Sequence, residues 1–501
     1  MSVHIYLLSL ALCLSGGFQQ GFLASVLNQP YIYIERFVDD SIAARFGVRL
    51  SADSLNIVWS FLNTCFPMAV IVGQFFAAWL CRVAGRKRSA LIACALYVPG
   101  TLASTASYWL GSFELLFFGR LLWAFSNGLN SVNATVWIVE CAPPRLRGAV
   151  AALQEFSMAV GSLLCQGVGI PFSSPSLWHL TFLVNLPFLA VAAVLFVCLP
   201  DSPQSIIDRE GDFVKARSAL SKFHGVPHDC ASLDGELCSS PLEKSAPDHG
   251  ALHAAPPLPP APLQSKGRGI AVIFNPYKKN DDRSVVIRWA AWLGVFVKVA
   301  YVLTGARCLR AYSTFVLYSL SHFSYDSALY SSFIMSLLRL PATLIPVFLV
   351  DRVGRRPLIL TSLFVSVLAL TAMFANLTFG PDVKAISLVS FAALLLTNAS
   401  GLGSLSRFYA AELVPRSLLL SAVSILSAIE IATKIAVEFA FFPLANVVGA
   451  WSLLIFFFPT CFFLLFLWHH CPETSGRTVY EVLDELAERR NRKVSFVPAS
   501  G

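Results

Sequence analysis

The 501-residue chain is 56% hydrophobic and only 13% charged, with a mean hydropathy of +0.66 and a formal net charge of +8. Soluble domains carry roughly a quarter of their residues charged, so this composition is that of a membrane protein. The basic residues fall between apolar runs rather than along one stripe, which argues against a nucleic-acid partner and fits loop charges that orient helices in a bilayer.

A helix needs about 20 apolar residues to cross roughly 30 Å of hydrocarbon. Twelve such runs follow in chain order, near 4–27, 55–80, 88–109, 113–138, 149–171, 177–199, 284–312, 327–350, 357–379, 385–410, 418–441 and 447–470. The first is long for a signal peptide and lacks a basic flank or a clear cleavage site, so it reads as a retained helix. The expected fold is an all-α membrane protein of twelve transmembrane helices in two six-helix pseudo-repeats. Residues 1–199 form the N-terminal bundle, 200–283 a linker, 284–470 the C-terminal bundle and 471–501 a tail. The linker holds "AAPPLPPAP", a stretch biased to polyproline II. It reads either as a flexible connection or as a docking site at 255–262 for a proline-recognising domain. The twelve scattered cysteines, with no CxxC, read as small buried hydrophobes. Neither a metal site nor a cofactor is expected.

Basic residues choose the orientation. Arg82, Arg86, Lys87 and Arg88 follow span two, Arg145 and Arg147 follow span four, and Arg352, Arg355 and Arg356 follow span eight. The tail adds Arg489, Arg490, Arg492 and Lys493, whereas the short loops after spans three, five and eleven carry no basic residue. By the positive-inside rule both termini are cytoplasmic.

The two halves repeat. "AGRKR" at 84–88 returns as "VGRRP" at 353–357, an offset of 269 from Gly85 to Gly354. "ECAPPRLRG" from Glu140 returns as "ELVPRSLLL" from Glu412, and "PDSPQS" from Pro200 as "PETSGR" from Pro472, both at an offset of 272. Internal duplication of a six-helix unit is a mark of secondary transporters. Carboxylates and arginines spread over several helix ends can pair in one conformation and separate in another, holding two rigid halves shut. Arg86, Glu140, Arg147, Asp351, Arg355, Arg356, Glu412 and Glu473 are the gate candidates. The plainer reading is that the loop arginines only obey the positive-inside rule, which leaves the acids and the repeated spacing without a reason.

Taken together with "GGFQQG…NQP" at 16–30, "GR" at 119–120, "DRVGRRP" at 351–357 and "PETSGRT" at 472–478, these motifs resemble the sugar porters of the major facilitator superfamily. The likeness is greatest to the animal facilitative glucose transporters. It covers all twelve spans, and implies alternating access around a ligand held near the membrane midplane, in the plasma membrane. The same resemblance identifies the contact positions. Gln19, Asn28 and Gln166 are retained, but Glu155 stands where the family has a span-five glutamine, and Tyr301 and Val302 stand for paired glutamines of span seven. Arg307 and Arg339 replace asparagines and Arg407 a tryptophan. Leu23 stands where proton-driven relatives carry a carboxylate, which favours facilitated diffusion, while the neighbouring Arg120 is kept.

The stretch "YVLTGARCLRAYS" at 301–313 therefore brings Arg307 and Arg310 into an apolar span that already holds Lys298. An intramembrane arginine cannot be neutralised and needs anionic partners. Glu155 is one candidate, and Glu430, Lys434 and Glu438, spaced i, i+4, i+8, can pair among themselves. Three readings stay open for the ligand and role: a hexose or polyol carried as in the family, an organic anion held by cavity arginines, or a solute sensor that no longer transports. The arginines of span seven could alternatively snorkel to the outer headgroups. No spacing of nucleophile, base or metal ligands suggests an enzyme. "NLT" at 376–378 lies at the expected outer end of span nine, where Asn376 could accept a glycan.

Overall fold

The computed structural model describes residues 2–141, 147–225, 269–274, 281–380, 383–492 and 494–496. No strand occurs among them, and each of the twelve expected spans is helical. The N-terminal half runs Val3–Ser25, Ala52–Ala84, Arg86–Leu110, Phe113–Cys141, Arg147–Phe172 and Trp178–Cys198. The C-terminal half begins with Asp282–Leu303 and Ala306–Ala311, followed by Tyr325–Ala342 with Ile345–Val353. Its remaining spans are Arg355–Thr378, Lys384–Ser400 with Leu402–Glu412, Arg416–Val448 and Leu454–His470.

Among the described residues, eight stretches are long and apolar enough to cross a bilayer by length and composition alone. Span four, Phe113–Cys141, is not one of them, because its inner face carries Arg120, Asn127, Asn130 and Asn133, all buried. Such polar groups belong inside a bundle, where other helices rather than lipid surround them.

The halves meet where span two packs on span eleven and span five on span eight. The apolar core shows how unevenly they meet. One buried cluster joins the N-terminal half to the outer portion of the C-terminal half, from Phe18, Phe22 and Trp123 through to Tyr312, Phe315, Phe441 and Phe442. A second cluster, from Val286 to Leu426 and on to Leu486, belongs to the C-terminal half alone. Aromatic rings seal the shared end: Phe315 and Phe442 lie 4.7 Å apart, and Tyr31 stands edge-on to Phe315 at 6.0 Å.

Two segments outside the expected spans are also helical. The loop after span one folds into the helix Tyr31–Phe46, which buries Tyr31, Ile34, Val38 and Ile42 at helical spacing and ends at left-handed Gly47. Both ends of the 200–283 linker also fold. Pro203–Glu210 and Phe213–His224 pack on each other, and Gly269–Phe274 docks Val272 and Ile273 into the C-terminal core. The proline-rich stretch at 255–262 lies outside the described residues. In the tail, Val479–Arg489 starts with a capping box between Thr478 and Glu481 and buries Val482, Leu483 and Leu486 against the same core. Of ten described free cysteines eight are buried, with Cys198 exposed and Cys461 between. Asn376 is buried, its Nδ2 donating to Val383 O at 3.1 Å and Ser387 Oγ at 2.9 Å. The fold thus uses the amide that the "NLT" sequon would need for a glycan.

Glu35, on the helix outside the spans, is half-buried, and desolvation with help from Asp39 pushes its carboxyl up to about 7. The unfolded chain then loses this proton first, so stability falls as pH rises from about 4.5 to about 7 and levels off above. Glu35→Gln should flatten that slope in melting curves of the detergent-solubilised protein, and an unchanged slope would discard this source.

Candidate functional site

The repeated motifs build two matching networks on the face that carries the chain termini. Span three begins at Arg86, just after Gly85 at φ 82°, and span nine begins at Arg355, just after Gly354 at φ 96°. Both turns require a residue without Cβ. An added Cβ at Gly85 would stand 3.0 Å from Asp201 Oδ2, and one at Gly354 would stand 2.7 Å from Glu473 Oε2.

Those carboxylates cap the helix starts. Asp201 accepts from the backbone N–H of Lys87 at 3.0 Å and of Ser202 at 2.8 Å. Glu473 accepts from the N–H groups of Arg355, Arg356, Thr474 and Ser475, at 2.9 to 3.0 Å. A negative charge at a helix N-terminus satisfies orphan donors and complements the helix dipole. The arginine that opens each helix then turns to the glutamate of the next repeat motif along the chain. Arg86 Nη2 donates to Glu140 Oε1 at 2.8 Å, and Arg355 Nη2 reaches Glu412 Oε1 at 3.4 Å. Ser202 Oγ also bonds to Glu140, as Thr474 Oγ1 does to Glu412 at 2.6 Å. Residue by residue, the two halves repeat one device.

Among the described residues these networks stay within their own halves. Arg356 Nη2 donates to Trp468 O at 2.8 Å rather than to the N-terminal half. The side chains of Arg147 and Asp351 lie outside the described ones. The hydrogen bonds that do join the halves cluster toward the opposite end. Asn28 Nδ2 donates to Ser313 Oγ at 2.8 Å, and its Oδ1 accepts from Thr314 N at 3.1 Å. Gln29 accepts from Thr314 Oγ1 at 3.1 Å through Oε1, and from Tyr325 OH at 2.6 Å through its backbone carbonyl. Ser336 Oγ donates to Gln166 Oε1 at 2.6 Å. Asn28 and Gln166 therefore serve the latch between halves in this conformation. Gln19 is a strut inside the N-terminal half, accepting from Asn185 Nδ2 at 3.2 Å.

Between latch and terminus-side face lies a polar interior. Span seven breaks there: Thr304 ends its first helix, Gly305 turns at φ 77°, and Ala306–Ala311 restarts it. An added Cβ at Gly305 would meet the Phe456 ring at 2.5 Å, so glycine alone fits this turn. Arg307 and Arg310, three residues apart on the restarted helix, line one pocket with Glu155, Tyr301, Arg339 and Asn398. They also line a second pocket with Arg120, Tyr312, Lys434 and Glu438. Both arginines of span seven thus face the interior, not the outer headgroups. The two pockets are narrow, ≈40 Å³ and ≈20 Å³, whereas a third of ≈320 Å³ runs between Gln74 and Ser131 on one half and Lys298, Ser427 and Glu430 on the other. The side chain of Arg407 lies outside the described ones.

Some of these charges are matched. Lys298 Nζ stands 2.8 Å from Glu430 Oε2, and Lys434 Nζ 3.8 Å from Glu438 Oε1. Glu430 therefore binds Lys298 on span seven rather than the Lys434 expected from helical spacing. Lys434 also sits 5.1 Å over the Phe66 ring of span two, a cation–π contact across the halves. After those two pairs, the described pockets hold Glu155 with Arg120, Arg307, Arg310 and Arg339. Sequence reasoning named Glu155, Tyr301, Arg307 and Arg339, and missed Arg310 and Asn398 as pocket residues. It also missed Asp201 and Ser202, whose signal was present in the match of "PDSP" to "PETS".

Comparison with known proteins follows this geometry. The Sugar (and other) transporter family matches residues 8–486. Facilitated glucose transporter protein 1 of Caenorhabditis elegans is 25% identical over 483 residues, covering 94% of this chain and 89% of that protein. The chicken solute carrier family 2, facilitated glucose transporter member 1, is 24% identical, covering 95% and 91%. The inward open conformation of the xylose transporter XylE from E. coli superposes with a TM-score of 0.73 at 19% identity, over 96% of this chain and 99% of that one.

Because Glu473 serves four backbone donors and Asp201 two, Glu473→Ala should lower the melting temperature more than Asp201→Ala. Losing a charged acceptor costs about 1.5–3 kcal/mol per well-made hydrogen bond, less where water can replace it. Equal shifts in differential scanning fluorimetry would contradict this ranking.

Proposed function

The chain belongs to the Sugar (and other) transporter family, and on that premise we propose that it carries a sugar across a membrane by alternating access. The observation that supports this best is the uneven meeting of the halves: hydrogen-bonded and ring-packed at one end, with a charged cavity lined by both halves toward the other. A ligand entering from the terminus side would reach Tyr301, Asn398 and the arginines, and closure of that face with release of the Asn28 and Gln29 latch would expose it to the other side. Reading the termini as cytoplasmic, by the positive-inside rule, makes this conformation inward-facing in the plasma membrane.

The terminus-side networks supply the counterweight. Arg86 with Glu140 and Arg355 with Glu412 lie at helix starts, where they could exchange partners across the halves when that face closes. Transport is facilitative on this reading. Leu23 is fully buried and apolar, so span one offers no carboxylate to take up a proton. The relatives named as glucose and xylose transporters point to hexoses and pentoses as the solute class. The family match over nearly the whole chain favours a carrier over a non-transporting sensor, and small polar solute and lipid remain the only partners proposed.

Purified protein in liposomes, screened with radiolabelled neutral and carboxylated hexoses and pentoses, tests the proposal. Saturable counterflow of at least one sugar is expected, with no accumulation driven by a pH gradient. Absence of counterflow for every sugar would refute the transport reading, and gradient-driven accumulation would refute the facilitative one.

A further inference from the structure

Among the described residues, the interior pockets hold more cations than carboxylates. Arg120 is 2% exposed, yet its Nε and Nη1 have no hydrogen-bond partner among the described residues. It comes from span four of the N-terminal half and lines the same pocket as Arg307 and Arg310 of the C-terminal half. Arg339 joins those two in the adjoining pocket, where Glu155 is the only described carboxylate. Among the described residues, no carboxylate lies within ion-pair distance of Arg120, Arg307, Arg310 or Arg339. Guanidinium groups stay protonated, so clustering them away from water is costly unless an anion arrives.

Resting on the transport reading above, we propose that the sugar carried is an acidic one, whose carboxylate is held between Arg120 of one half and Arg307 and Arg310 of the other. The planar fork of an arginine matches a carboxylate through two parallel N–H···O bonds. Unpaired donors on Arg120 are the built half of that contact. Tyr301 and Asn398, neutral groups in the adjoining pocket, face the sugar hydroxyls. One carboxylate bridging arginines from both halves would draw the halves together, so the charge that selects the ligand also favours the closed, loaded state.

The ligand has to enter while the inner pockets are wider than here, since ≈40 Å³ and ≈20 Å³ accommodate only a water or two. The ≈320 Å³ opening toward the terminus side is lined by Arg307 as well as by the Lys298–Glu430 pair, so an anion entering it reaches the arginine cluster at its inner end.

The test is uptake of radiolabelled D-glucuronate, D-glucose and L-lactate by proteoliposomes containing the full chain. Wild-type protein should prefer glucuronate over glucose by about tenfold or more, because glucose would leave the buried arginines without an anionic partner. Lactate should be a poor substrate, as it lacks the sugar hydroxyls. Arg310→Gln should lower the glucuronate-to-glucose uptake ratio by a similar factor, and Arg310→Lys should fall between. The wild-type preference stands by itself as a criterion if Arg310→Gln proves unstable in fluorimetry. Glucose carried in preference to glucuronate would overturn the acidic-sugar inference and leave the transport reading intact. Lactate carried as well as glucuronate would overturn the sugar-acid specificity. Counterflow of neither sugar would count against the transport reading itself.

Discussion

An ionised side chain at the centre of a bilayer costs at least about 2.5–3.5 kcal/mol on insertion scales, and the interior of this protein carries six described cations against three carboxylates. Much of the architecture answers to that penalty. Lys298 and Lys434 are neutralised by Glu430 and Glu438 from a neighbouring span and a neighbouring turn. Arg120, Arg307, Arg310 and Arg339 are instead turned toward each other and toward space between the halves. The break at Gly305 makes this possible. A continuous helix would have carried its register straight through 303–311, whereas the left-handed turn restarts it with two arginines aimed inward.

The same penalty explains why the terminus-side networks sit at helix ends. Water is near, orphan backbone donors are available, and ions can be exchanged without crossing hydrocarbon. Duplication then gives each half its own copy: glycine turn, arginine, glutamate from the following motif, and an acid capping the start of the arginine's own helix. Among the described residues each charged end pairs within its own half, which suits movement of each half as a rigid body.

Much of this was legible in the residues themselves. Helices long enough to span are visible as apolar runs, and the twofold plan shows in motifs that recur at offsets of 269 and 272. Glu473 stood out in the repeated motif as a gate acid, but not as the cap of a helix that starts at Arg355, far from it in the chain. What escaped were matters decided by long-range packing. Lys434 and Glu430 stand four residues apart, yet Lys298 of another helix takes Glu430, since tertiary proximity outweighs an i, i+4 pair worth a few tenths of a kcal/mol. Arg310 looked close enough to the headgroups to snorkel until the Gly305 turn redirected it. The helix at Tyr31–Phe46 and the folded ends of the linker are short amphipathic pieces. Their apolar faces acquire meaning only from the surfaces they cover.

The latch joining the halves has a composition of its own. Asn28, Gln29, Gln166, Ser313, Thr314, Tyr325 and Ser336 are uncharged, and their contacts are neutral hydrogen bonds backed by aromatic rings. Such contacts are indifferent to ionic strength, whereas the opposite end is built from partly exposed ion pairs that added electrolyte screens. One end of the protein is in effect an insulator and the other a conductor of its surroundings. Electrolyte on the charged side therefore loosens the networks inside each half without touching the lock on the far side.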